Sequence, residues 1–406
     1  MSSATTLPGK WRSIAVLLLC QVGAMTVWFS SAAVVGLIKQ TQAMTPLQEA
    51  LLTSAVQIGF VAGTLVSALL SLADRFDPRR LFMVSALIAA AATAVLSQLD
   101  PVDPLVLVLR FITGACMAGV YPVGMRLAAT WAKGDLGLLV GFLVGALTLG
   151  SASPHAFSAW IQTDWRTVYK VASVCAALAG LGIFACRLGP NITRSTGIDL
   201  GKAMQVWRNP AIRLANLGYL GHMWELYAMW AWLAAFLTAS FTAIGMADAK
   251  HNASLLTFAA VAAGSVGAWL GGVLADRYGR TALTTGAMAM SAACALTMGW
   301  LFAAPPWLLS VVALIWGVTV IADSAQFSAS VAELAEPSAV GTLLTAQTCM
   351  GFLLTLASIH LVPELVKASG WKLAFGVLAI GPILGCIAML RLRLRPESLR
   401  IAGGKR

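Results

Sequence analysis

The chain has 406 residues, of which 59% are hydrophobic and only 11% charged, with a formal net charge of +11. Soluble domains carry about 25% charged residues, so this composition excludes an ordinary water-soluble enzyme or binding domain. The apolar residues lie in long blocks such as 14–38 and 104–124, each long enough to cross a hydrocarbon core of about 30 Å as a helix rising ~1.5 Å per residue.

Backbone polar groups inside lipid are satisfied only in helices or closed barrels. Barrel strands alternate apolar and polar residues over roughly ten positions, a period absent here, which leaves an all-α integral membrane fold. Twelve spans are predicted near residues 13–38, 49–72, 81–98, 104–131, 136–161, 166–186, 211–239, 252–274, 281–303, 307–332, 341–363 and 371–390. The first block lacks a small-residue cleavage site and exceeds the apolar region of a signal peptide, so it is expected to stay in the protein.

All seven cysteines fall within spans and none forms a CxxC pair, so neither a metal site nor a disulfide framework is expected, and no cofactor. The bases flank the apolar blocks, which marks them as topology signals rather than a nucleic-acid footprint. Lys10, Arg12, Arg75, Arg79, Arg80, Arg126, Lys133, Arg187, Arg194, Lys202, Arg208, Arg213, Arg277, Arg280 and the C-terminal bases fall on one side. Only Lys39, Arg166, Lys170, Lys250, Lys367 and Lys372 fall on the other. The bias predicts a multi-pass protein of the cell (inner) membrane with both termini cytoplasmic.

The polar stretch 187–210, near the chain midpoint, reads as a cytoplasmic linker between a bundle over 1–186 and a second over 211–406. An internal repeat supports the division. Ser71-Leu-Ala-Asp-Arg-Phe-Asp-Pro-Arg-Arg80 recurs as Gly272-Val-Leu-Ala-Asp-Arg-Tyr-Gly-Arg280, Pro104 matches Pro306, and Asp164-Trp165-Arg-Thr-Val-Tyr resembles Gly370-Trp371-Lys-Leu-Ala-Phe.

The Gly-x-Leu-Ala-Asp-Arg-x-Gly-Arg pattern, between spans 2 and 3 and again between 8 and 9, resembles the signature of the major facilitator superfamily. The resemblance extends over the whole chain and implies two pseudo-symmetric six-helix bundles around a central cavity lined by spans 1, 4, 7 and 10. It also implies that Asp74, Arg75, Asp276, Arg277, Gly279 and Arg280 form gating loops that pair with helix ends. The first copy departs from the pattern at Leu70, Asp77 and Pro78, which implies a looser first loop.

A charge near the bilayer centre costs about 2.5–3.5 kcal/mol on insertion scales and tends to mark a pathway or a buried pair. Only Arg110, Glu225 and Asp323 lie well inside spans. At 100° per residue Arg110 shares a face with Gly114 and Tyr121, a face expected on the cavity. Arg110-Phe-Ile-Thr-Gly114 also resembles the superfamily's span 4 motif, which implies proton coupling. Glu225 shares a stripe with Gly218, His222, Met229 and Trp232 and is the preferred proton carrier, with His222 one turn away as relay. Asp323 shares a face with Trp316 and Gln326 and could meet substrate or pair with a base. Gln21, Met25 and Trp28 form a stripe on span 1, making Gln21 and Trp28 candidate substrate contacts. His155 and His360, in matching places of the two halves, read as a gate or as duplicated sequence.

No GxxxxGK[ST] motif is present, so an ion or substrate gradient is the expected energy source. The leading expectation is a monomeric, proton-coupled secondary transporter moving a small organic anion by alternating access. A proton/drug antiporter for lipophilic compounds is the alternative. Span 2 lacks the arginine of nitrate porters, which counts against that assignment.

Overall fold

The computed structural model describes residues 8–133, 135–161, 164–191 and 199–406. These residues form no strands. Eleven helical segments are long and apolar enough to cross a membrane. Ten are α1 (Lys10–Thr41), α2 (Pro46–Leu69), α3 (Pro78–Leu96), α4 (Pro104–Ala129), α5 (Leu136–Trp160), α6 (Trp165–Ala185), α7 (Pro210–Ala243), α8 (Ala249–Tyr278), α9 (Arg280–Trp300) and α10 (Pro306–Leu334). The eleventh, Val340–Arg393, has 54 residues, about 80 Å of helix and more than twice the hydrocarbon thickness. Gly370, at φ 74° and ψ 179°, breaks it in a conformation that favours glycine, giving α11 (340–369) and α12 (371–393). With that break the described residues form twelve helices of membrane-spanning length, close to the predicted boundaries.

Several starts are set by local chemistry. Thr45, Asp77, Asp103 and Asn209 each accept from an N–H of the first turn, with proline next in the chain at Pro46, Pro78, Pro104 and Pro210. The side chain satisfies one orphan donor and the proline removes another. Asp77 and Pro78, where the first loop departs from the repeat, are therefore the residues that begin α3. Hydrogen bonds from Arg79 hold the Asp77 carboxyl below the usual carboxylate range.

Lipid offers no hydrophobic drive for helix association, so close approach depends on small residues. A Cβ on Gly114 of α4 would lie 1.9 Å from Val56 O of α2, and one on Gly59 of α2 would lie 2.0 Å from Phe111 O. The second bundle repeats this crossing between α8 and α10, where a Cβ on Gly317 would lie 1.7 Å from Ala260 O and one on Gly271 1.9 Å from Ala322 O. The two bundles meet along α5–α8 and α2–α11. Leucines such as Leu19, Leu178 and Leu384 remain exposed on the outer faces, as lipid contact requires.

The connection between bundles is anchored at both ends. Asn191 donates to Thr130 O and Ala132 O beyond α4, and Asp199 N donates to Thr342 Oγ1 at the start of α11. Arg194, among the predicted topology bases, lies outside the described residues.

Alanine normally gains up to about 1 kcal/mol over glycine in a helix, whereas overpacking costs about 1–3 kcal/mol. Gly317→Ala should therefore lower the thermal unfolding midpoint in detergent. Gly286→Ala, on α9 with open space around its Cβ position, should hold or raise it.

Candidate functional site

Near mid-membrane α1 opens. Thr26 N and Trp28 N bond three residues back, to Gly23 O and Met25 O, and regular helix resumes at Ser30. The tightened turn leaves carbonyls of residues 27 and 28 without helical donors. Arg110 of α4, fully buried, supplies them: Nη1 donates to Val27 O at 2.9 Å and Ser30 Oγ at 3.2 Å, Nη2 to Trp28 O at 2.6 Å, and Nε to Leu52 O of α2 at 3.1 Å. Arg110 is thus a clasp on the break in α1 and does not line the cavity. Its expected companion on one face, Tyr121, does. The turn at 118–120 in α4, with Val120 at φ −105° and ψ −67°, separates their directions.

The central cavity, of about 260 Å³, lies between the bundles. Aromatic rings of Trp28, Phe60, Tyr121, Tyr219, Tyr227 and Phe352 form much of its wall, with hydroxyls from Thr64, Ser324, Ser328, Thr345 and Thr348. Among the described residues no charged side chain lines it. Two helix segments begin at this wall, Tyr121–Ala129 and Ser324–Leu334. The indole N–H of Trp28 has no hydrogen-bond partner among the described residues. Gln21 is buried nearby, its amide also unpartnered, packed toward Gly124 and off the cavity wall.

The titratable groups of the second bundle sit behind this wall. Glu225 Oε1 accepts from Trp316 Nε1 and Oε2 from Ser291 Oγ, both at 2.7 Å. His222 Nδ1 lies 2.9 Å from Asp323 Oδ1, with both side chains almost wholly buried. The sequence thus brings His222, Glu225 and Asp323 into one buried region, Asp323 with His222 and Trp316 with Glu225. The expected Trp316–Asp323–Gln326 face is divided, since Gln326 Oε1 instead accepts from Arg280 Nη1 at 2.6 Å. Tyr219, Met223 and Tyr227 of the cavity wall lie on the opposite stripe of α7. The apolar spacing of that stripe was readable in the sequence, where the charged stripe drew attention away from it.

The signature loops pair within their own bundles. Asp74 Oδ1 meets Arg126 Nη2 at 2.6 Å, at the end of α4. Arg280 donates to both oxygens of Glu333, at 3.0 and 2.7 Å, at the end of α10. The polarity is inverted between the copies, with the loop acid used in one and the loop base in the other. Gly279, at φ 96°, passes against Arg406 O, where no Cβ fits. Arg277 stacks on Tyr278, while the side chains of Arg75 and Asp276 are exposed.

At the end of the molecule opposite the termini, three basic side chains of the second bundle reach oxygens of the first. Lys250 Nζ donates to Gly36 O at 3.1 Å, His251 Nδ1 lies 3.0 Å from Ala159 O, and His360 Nε2 lies 2.9 Å from Ser54 Oγ. Trp28, Phe29, Tyr227, Trp230 and Phe352 stack between this end and the cavity, with Trp28 and Phe352 centroids 5.9 Å apart. Above them a crevice of about 270 Å³ is bordered by Lys39, Glu49 and Lys250. His155 is buried and joins no such contact among the described residues.

Residues 17–249, more than half of the chain, match the family model described as Major Facilitator Superfamily. The chain belongs to this superfamily. A second model, described as Sugar (and other) transporter, matches residues 215–406. With its long apolar helices, this superfamily member is a multi-pass membrane protein. Among curated relatives, the uncharacterized transporter YgaY of Escherichia coli O157:H7 is 31% identical over 140 residues, 33% of this chain and 34% of the relative. The probable sulfoacetate transporter SauU of Cupriavidus necator is 28% identical over 266 residues, 60% of each chain. The alignments thus span about a third and three fifths of these relatives.

Arg110→Gln should destabilise the protein measurably, since each buried carbonyl left without a donor costs about 1–3 kcal/mol. Arg110→Lys keeps the charge but not the forked reach and should fall between. Thermal unfolding in detergent reads both, and a Gln variant as stable as wild type would dismiss the clasp.

Proposed function

We propose that this superfamily member is a proton-coupled secondary transporter that moves a small organic anion by alternating access, as a monomer in the cell inner membrane with both termini cytoplasmic. The observation behind the substrate class is the wall of the central cavity. Among the described residues it holds no fixed charge and the Trp28 N–H has no partner, but two helix segments begin there. Helix starts present orphan N–H groups and a positive dipole end, which suit an anionic group. The likeness to SauU, whose name refers to sulfoacetate, points the same way. Lys39 and Lys250 border the crevice above, where an anion from outside would first be met.

In this reading the cavity is closed toward the outside by the aromatic stack and the Lys250, His251 and His360 contacts, and the halves 1–186 and 211–406 rock about it. Trp28 and Tyr121 contact substrate, while Gln21 supports the wall behind the Tyr121–Ala129 segment, at Gly124. His222, Asp323 and Glu225 take and release the proton. Arg110 acts by holding α1 open at the cavity wall. Asp74, Arg75, Asp276, Arg277, Gly279 and Arg280 brace the cytoplasmic loops.

The aromatic, charge-free lining also favours a second reading, proton-driven efflux of lipophilic compounds. Proteoliposomes with an internal pH dye separate the two. Small organic anions should drive proton movement in wild type and not in Glu225→Gln, in which the amide can still accept from Trp316 and donate to Ser291. Proton release driven by lipophilic cations would favour efflux. Anion flux with unaltered proton coupling in the variant would remove Glu225 as carrier.

A further inference from the structure

A second apolar groove opens on the outer, lipid-facing side of the protein. It has a volume of about 470 Å³ and lies between α7 and α12, with Leu214, Leu217, Trp224, Leu384 and Ile387 on its walls and Arg391 at one end. The two helices touch above it, where a Cβ on Gly221 would lie 2.3 Å from Gly381 O and one on Gly381 2.4 Å from Gly221 O. They stay packed beneath it toward the end that holds both termini, where a Cβ on Gly385 would lie 3.3 Å from Gly218 O.

Three properties define an occupant. The lining from Ile380 to Arg391 on α12 is about 16 Å long at ~1.5 Å per residue, half the ~30 Å hydrocarbon core and so the depth of one leaflet. The walls are apolar throughout, and the one indole is already engaged, Trp224 Nε1 donating to Val377 O at 3.2 Å. The single charge sits at the membrane-surface end. Its neighbours on the chain are occupied: Arg393 donates to Thr281 Oγ1 and Arg395 pairs with Glu397. Arg391 is exposed and has no partner among the described residues.

We infer that this groove is a binding site for an anionic phospholipid of the leaflet on the terminal side, one acyl chain lying between α7 and α12 and the phosphate on Arg391. A guanidinium grips phosphate through two parallel N–H bonds, which suits it to a fixed headgroup better than an ammonium. Basic pockets between membrane helices on the cytoplasmic side bind acidic headgroups on the same physical grounds. The bound chain would brace α7 at Gly221, beside His222. The inference does not depend on which substrate is carried.

Native mass spectrometry of the purified protein, incubated with equal amounts of phosphatidylglycerol and phosphatidylcholine of matched chains, tests it. Wild type should retain phosphatidylglycerol preferentially. Arg391→Gln should reduce that preference about fivefold, the loss expected for one base near the surface, while Arg400→Gln, exposed at the same end, should leave it unchanged. Leu384→Trp, or Leu217→Trp if the first is not monodisperse, fills the groove and should reduce retention of both lipids. An unchanged preference in Arg391→Gln, an equal loss in Arg400→Gln, or undiminished lipid on a groove-filled variant would each overturn the assignment. So would displacement of the lipid by a transported lipophilic cation, which would make the groove a substrate portal.

Discussion

Much of the architecture follows from a single constraint, that a carbonyl freed inside hydrocarbon needs a donor from the protein. The turn at residues 26–28 opens α1 in the buried interior, and Arg110 answers with three nitrogens directed at Leu52, Val27, Trp28 and Ser30. No carboxylate is needed, because the ring of carbonyl dipoles is the counter-charge. The arrangement ties α4 to α1 and α2 at one depth. It thereby fixes the direction of Trp28 and Phe29, on which the aromatic stack between the bundles is built.

Close backbone approach is the second requirement, and both bundles meet it with glycine at the same crossing, α2 on α4 and α8 on α10. The duplication preserved the geometry there and not the chemistry of the loops. Asp74 with Arg126 and Arg280 with Glu333 put an ion pair at the same helix ends with the signs exchanged. A pair needs only opposite charges within reach, so either member can come from the loop, whereas a crossing that excludes a Cβ tolerates only glycine.

The sequence made the crossings, their ends and the repeat legible because each rests on local properties: apolar length, proline with a capping residue, and a short motif. It also singled out the buried charges. Which way they point was less legible, since that depends on helix breaks. Arg110 and Tyr121 share a face only on an unbroken helix, and the turn at 118–120 sends them to different neighbours. Asp323 and Trp316 likewise share a stripe yet serve different partners, His222 and Glu225. A further partner of Glu225, Ser291, comes from α9, and no spacing along α7 or α10 announces it.

The separation between the cavity and the titratable groups constrains any coupling between them. Tyr219, Met223 and Tyr227 face the cavity, while His222 and Glu225 on the same turns of α7 face α9 and α10. Helix α10 repeats the arrangement, with Ser324 and Ser328 on the cavity and Asp323 behind. A proton arriving at these groups would not touch a substrate in the cavity, so its effect would have to pass through the bodies of α7 and α10 or through the His222 ring, 6.2 Å from that of Tyr219 on the wall. A change in the His222–Asp323 contact alters how those two helices are held together. Because each presents hydroxyls or rings to the cavity from its other face, a small rotation would redraw the wall that the substrate meets. Proton and cargo would then communicate through helix position and the Tyr219–His222 ring contact, and the wall itself would need no charge.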